Sequence, residues 1–230
     1  MYKICYLFLL YLMYAFLGWV VEVVNSYIQH KRFINRGFMI GPYCPIYGTG
    51  VLLIIFLLKD YTNNYLVLFI LSMTVCMVVE YLTSLVMELL FNARWWDYSN
   101  RKFNINGRVC LETAIPFGLC GMLIMYVINP IFVKLLDKGS EKFIIILGII
   151  LMILFFTDLI VSFLVVLKYR KAGVENYKDD TEEMNKKVHD YLVSHSYLTK
   201  RFVESFPNAK LKVEKFKKLY EKRKKEIMKK

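Results

Sequence analysis

The sequence predicts an all-α integral membrane protein. It has about five transmembrane helices with a duplicated helix–loop–helix core, interfacial or re-entrant loop segments and a basic helical cytoplasmic tail. Three observations carry this. The 230 residues are 57% hydrophobic and 16% aromatic, against roughly 45–50% apolar residues in a soluble domain. The excess lies in residues 1–167, where several runs exceed the ~18 apolar residues that mark a spanning helix. Charge divides in the same place: residues 1–167 hold 12 Lys/Arg against 9 Asp/Glu, and residues 168–230 hold 19 against 10. A transmembrane domain therefore covers 1–170, with repeat halves at about 1–60 and 65–134 and an extra helix at 143–167. A basic cytoplasmic tail covers 171–230.

The first helix is expected over about Ile4–Ile28. Its apolar run outlasts a signal-peptide core of about 7–15 residues and shows no small-residue cleavage site, so it reads as a retained helix. It carries Glu22. A carboxylate at the centre of a span costs about 2.5–3.5 kcal/mol on insertion scales. Glu22 therefore either faces the bundle interior with a partner or sits wet among headgroups. After the basic residues His30, Lys31 and Arg32 comes Asn35–Gly50, NRGFMIGPYCPIYGTG. Gly37, Gly41, Pro42 and Pro45 break helix there, between two apolar runs. Open backbone groups at membrane depth are tolerated only where protein or a water-filled cavity covers them. Broken segments of this kind often line solute and ion sites in transporters. Asn35, Arg36 and Tyr47 are the site candidates here, and the second helix ends near Leu58.

The third helix, about Tyr65–Phe91, carries Glu80, Ser84 and Glu88. Steps of four drift about 40° each, which keeps all three on one side and puts the two carboxylates about 12 Å apart along the axis. Asn92–Cys110 is too polar to span and too aromatic for a plain linker. Trp95, Trp96 and Tyr98 suit the membrane–water interface. Asp97, Asn104 and Arg108, with Trp96, fit a folded or re-entrant loop that closes one end of a cavity. The fourth helix, about Leu111–Val133, opens with Glu112 and contains Pro116, Gly118 and Gly121. The fifth, about Phe143–Leu167, is the most lipid-like apart from Asp158 and Ser162. A shift of 71 residues lays Asn106-Gly107-Arg108 on Asn35-Arg36-Gly37, Pro116 on Pro45 and Gly121 on Gly50. This is the basis for two related halves packed around shared polar residues.

An Arg–carboxylate fork offsets much of the cost of burying either group. The expected pairs are Glu22 or Glu88 with Arg36 or Arg108. Such a polar core can be structural, can bind a solute or ion, or can serve catalysis on a lipid or envelope precursor with a carboxylate as base. No G-x-S-x-G, H-E-x-x-H or P-loop sequence is present, so no catalytic motif is recognised and the chain does not hydrolyse ATP through a P-loop. All three His lie outside the spans, which argues against a buried His metal site. No metal and no cofactor is expected. The five Cys are scattered without a C-x-x-C pair and read as small buried hydrophobes.

With the C-terminus cytoplasmic, five crossings place Lys31, Arg32, Arg36, Arg94, Arg101, Lys102 and Arg108 inside, as the positive-inside rule favours. From Lys210 the tail reads LKVEKFKKLYEKRKKEIMKK. The plain reading is a helix along anionic lipid headgroups, where each basic residue contributes about 1 kcal/mol near the surface. The sharper one is docking to an acidic protein.

Five stretches together carry a resemblance: Phe16–Glu22 (FLGWVVE), Asn35–Gly48, Glu80–Ser84 (EYLTS), Trp95–Ser99 (WWDYS) and Asn104–Glu112 (NINGRVCLE). Arg201–Asn208 (RFVESFPN) adds to them. The chain resembles the bacterial family labelled putative ABC-transporter type IV, the CmpB-like permeases. That resemblance implies a permease subunit in the bacterial cytoplasmic (inner) membrane that moves a small solute and needs a separate ABC ATPase. It carries over no catalytic residue. Five crossings are few for a pore, so a homodimer is expected.

Overall fold

A computed structural model describes residues 1–91, 93–175, 197–205 and 210–211. The tail helix expected from Lys210, and Phe206, Pro207, Asn208 and Ala209 just before it, fall almost wholly outside the described residues.

The helices follow the apolar runs. Helix α1 spans Tyr2–His30 and stops at Lys31, whose φ of 55° is left-handed and whose N–H returns to the Tyr27 carbonyl. A left-handed residue just past the last turn is a common helix stop, because it returns N–H groups to the final carbonyls. Helix α2 spans Pro45–Leu58. Proline is placed well in the first turn, where its missing N–H would be unsatisfied anyway. Helix α3 runs Tyr65–Phe91. Helix α4, Leu111–Leu123, continues through a π-helical turn at Ile124–Ile128 into α5, Asn129–Asp137. Helix α6 is Glu141–Glu175 and α7 is Tyr197–Ser205.

Four stretches are long and apolar enough to cross a bilayer: α1, α3, the α4–α5 rod and α6 as far as Leu167. The expected second crossing differs from these. At 14 residues, α2 is about 21 Å long, short of the ~30 Å hydrocarbon core. The π turn has a local cause. Pro130 lacks an N–H and cannot close a bond to the carbonyl four residues back. The pairing before it widens instead, and Asn129 N–H reaches the Ile124 carbonyl. Tyr14 of α1 donates to Asn129 Oδ1 at 2.8 Å and fixes this turn.

Two compact units are distinguished. One comprises Met1–Thr83 with Asp97–Leu159, the other Ser84–Trp96 with the chain from Ile160. In the first, Cys5, Leu9, Leu10 and Tyr14 of α1 are buried with Val51, Ile124, Leu136 and Ile144. A second cluster joins Ile54 and Leu58 of α2 to Leu68 of α3, with Met122 and Met125 beside it. Small residues let backbones approach within a membrane. A Cβ on Gly148 would lie 2.6 Å from Cys5 Cβ, and one on Gly121 would lie 2.4 Å from Ser72 Cβ. In the second unit, Phe91 packs edge-on against Trp95 and Phe163. There a short strand β1, Ala93–Arg94, pairs antiparallel with β4, Lys210–Leu211. Strands β2, Asn104–Ile105, and β3, Val109–Cys110, form a hairpin in the first unit. Protein leaves apolar side chains such as Ile146, Ile153 and Ile160 of α6 uncovered, as suits a lipid-facing surface.

Candidate functional site

The site begins with the loop between α1 and α2. Cys44 N–H donates to the Ala15 carbonyl at 2.9 Å. Ala15 lies 15 residues before the end of α1 at His30, about 22 Å back along the axis. The chain therefore leaves α1, turns back beside it and starts α2 next to the middle of α1. A helical carbonyl has a second lone pair for such a bond. Trp19, Asn35 and Asp158 hold other polar atoms of the loop. Trp19 Nε1 donates to Asn35 Oδ1 at 2.7 Å, and Asn35 Nδ2 donates to the Ile40 carbonyl at 2.9 Å. Asp158 of α6 accepts from Ile40 N–H at 3.0 Å, Gly41 N–H at 2.7 Å and the Tyr43 hydroxyl at 2.7 Å. Gly37 sits at φ 120°, a backbone region open to glycine and rarely used by other residues.

Re-entry brings Tyr47 to α1. Its ring lies over Gly18, where a Cβ would fall 2.2 Å from the ring's Cγ. Its hydroxyl donates to Glu22 Oε1 at 2.7 Å. Glu80 of α3 is the counterpart. It is 8% exposed, and its Oε1 accepts from the Tyr98 hydroxyl at 3.3 Å. Tyr98 is held by the loop backbone, where its N–H donates to the Gly107 carbonyl at 2.8 Å. Burial, then the charge of Glu80 and more weakly that of Glu22, push the Tyr98 phenol well above its usual range. It stays protonated and serves as a donor. Tyr47 likewise lies within electrostatic reach of both carboxylates, and Glu22 acts on Glu80. Glu22, Tyr47, Glu80 and Tyr98 are thus one cluster, two carboxylates each engaged by a tyrosine hydroxyl. Glu80 Oε2 is buried with no hydrogen-bond partner.

The remaining candidates fall elsewhere. Asn104 braces the hairpin loop, donating to the Ser99 and Arg101 carbonyls and accepting from Gly107 N–H at 2.9 Å. Asp97 is exposed and accepts from both the N–H and the hydroxyl of Ser99. Glu112 pairs with Arg101 at 3.1 Å, both more than half exposed. Arg108 is buried, with its guanidinium carbon 5.6 Å from the centre of the Tyr81 ring. In the second unit Ser84 and Glu88 are buried, Glu88 meets Arg94 Nε at 3.5 Å, and Trp96 is half-buried. Arg36 is half-buried, and its carbonyl accepts from Cys44 Sγ at 3.9 Å.

For Glu22 the hydrogen-bond partner found is the Tyr47 hydroxyl. Sequence reasoning placed Tyr98 at the interface and left Asp158 outside the site set. An aspartate in the most apolar helix was the available signal for the latter. Among the described residues no group of three or more His, Cys, Asp or Glu is arranged to hold a metal ion.

These features define a multi-pass all-α membrane protein with broken backbone and a polar cluster inside its helical domain. The family described as "Putative ABC-transporter type IV" matches residues 9–163, and the chain belongs to that family. No curated protein and no solved structure gives a significant match.

Proposed function

We propose that this protein is a permease component that moves a small solute and is driven by a separate ABC ATPase. One observation carries the reading: the chain re-enters beside α1 and starts α2 at the level of Ala15, next to the Glu22–Tyr47 contact. Irregular backbone at membrane depth is characteristic of solute sites in transporters. The family's description supports coupling to an ATPase. The two segments α1–loop–α2 and α3–loop–α4 act as related halves, residues 1–60 and 65–134. Two copies of the chain complete the pathway. The membrane is the bacterial cytoplasmic membrane, with the basic loops and the C-terminal tail inside, the tail resting on anionic headgroups.

The test is mass spectrometry of what co-purifies with the full chain, expressed at native level and extracted in mild detergent. A stoichiometric ABC ATPase supports the permease. A bound lipid or metabolite with no ATPase overturns it and favours an enzyme acting on a lipid or envelope precursor, with Glu22 or Glu80 as base.

A further inference from the structure

We infer that the Glu22–Tyr47–Glu80–Tyr98 cluster is a cation site, and that its ligand is a protonated amine. The inference deepens the permease reading and rests on it only in treating the amine as cargo; binding stands by itself.

Charge is the first argument. Two carboxylates lie within electrostatic reach of each other, and the groups bonded to them are neutral phenols. The Glu22 charge acts on Glu80 and has the same sign. Nearby cations have other engagements: Arg101 with Glu112 at an exposed edge, Arg108 over the Tyr81 ring. Glu80 is buried and Glu22 half-buried, and holding two like charges close with little water favours either a proton or a cationic ligand.

The second argument is the acceptor left over. Glu80 is 8% exposed, yet its Oε2 has no hydrogen-bond partner. Buried polar atoms are nearly always satisfied, and an exception calls for a role. One turn from Glu22 along α1, the fully buried Ser26 hydroxyl also has no partner. Residues four apart share a helix face, so Ser26 adds to the polar side on which Glu22 lies.

The third argument selects the cation. A transition-metal ion is commonly held by three or more His, Cys, Asp or Glu side chains, and no such group is found among the described residues. An ammonium group needs acceptors for its N–H donors and tolerates aromatic faces on its other sides. Glu80 Oε2 supplies the acceptor, the second Glu22 oxygen can add another, and Tyr47 and Tyr98 are the aromatic residues bonded to the two carboxylates.

The experiment uses the full chain in detergent and measures saturable binding and Tm with methylammonium chloride. Sodium chloride at equal ionic strength is the comparison. Methylammonium is expected to bind saturably and to raise Tm, as any ligand of the native state does, while sodium does neither. Glu80→Gln retains an acceptor for Tyr98 and is expected to weaken binding about tenfold or more. Glu22→Gln is the second variant, in case the first does not fold. Lys102→Gln, on the exposed loop, is expected to bind as the parent does. No saturable binding by the parent protein overturns the inference. So does equal binding of sodium, or binding that survives both carboxylate substitutions. Failure here is separable from failure of the permease reading. An ATPase complex that carries a neutral or anionic solute and ignores amines removes the cation site and leaves the permease. Amine binding by a chain that recruits no ATPase does the reverse.

Discussion

Gly18 sets how closely Tyr47 can lie against α1. A methyl group there would overlap the ring, with the new carbon 2.2 Å from Cγ. Gly18→Ala should push Tyr47 off Glu22 and lower Tm, since overpacking typically costs about 1–3 kcal/mol. Combining it with Tyr47→Ala should give less than the sum of the two single losses, because the second change removes the overlap. A double-mutant cycle on detergent-solubilised protein reads this, and strict additivity would place the ring elsewhere. Tyr98→Phe makes a separate case. It strips Glu80 of its hydroxyl donor, and a buried acceptor left open costs about 1–3 kcal/mol. Glu80→Gln combined with Tyr98→Phe should be less destabilised than Tyr98→Phe alone, because an amide tolerates burial better than a carboxylate. Thermal melts of the two variants decide it.

Asp158 of α6 is an anchor of the re-entrant loop. Asp158 takes two backbone N–H groups and a hydroxyl, so Asp158→Ala should loosen the loop while leaving the helices formed. Cys44, 5% exposed at the end of the loop, reports on this. In a variant with Cys44 as the sole cysteine, maleimide labelling should be slow, and Asp158→Ala should speed it about tenfold or more, a change worth about 1.4 kcal/mol. An unchanged rate would mean that Asp158 does not hold the loop. The helices and the break between them were legible in the sequence. Apolar run length marks a span, and Gly37, Gly41, Pro42 and Pro45 so close together disfavour an unbroken helix. The bounds of α3 were read off directly. The partners were not legible. Asp158 is 117 positions from Gly41, and nothing local to either reveals the other. Tyr98 could not be told from an interfacial aromatic, because its role depends on Glu80, 18 residues earlier. The half-length of α2 was hidden for a related reason: the chain turns back at Cys44, whose N–H reaches Ala15, 29 residues earlier.

For the whole molecule, α6 should be indispensable although it contributes no residue to the Glu22–Glu80 cluster. A chain ending at Asp137 retains both helix–loop–helix halves but loses Asp158. It should fail to accumulate in the membrane, whereas the full chain carrying Asp158→Asn, which keeps one acceptor oxygen, should accumulate at a reduced level. Immunoblotting of membrane fractions distinguishes these, and normal accumulation of the truncated chain would show that the loop is held by other means. The same contact bears on biosynthesis. The loop is translated 118 residues ahead of the carboxylate that receives the Ile40 N–H. Until that residue leaves the ribosome, the Ile40 and Gly41 amides lack the acceptor they have in the finished fold. The nascent chain must therefore keep residues 31–44 in water or against the insertion machinery, and admit them to the bilayer only at the last step of assembly. A ribosome stalled before Asp158 would display this unfinished loop, giving membrane quality control a place to tell an incomplete chain from a complete one.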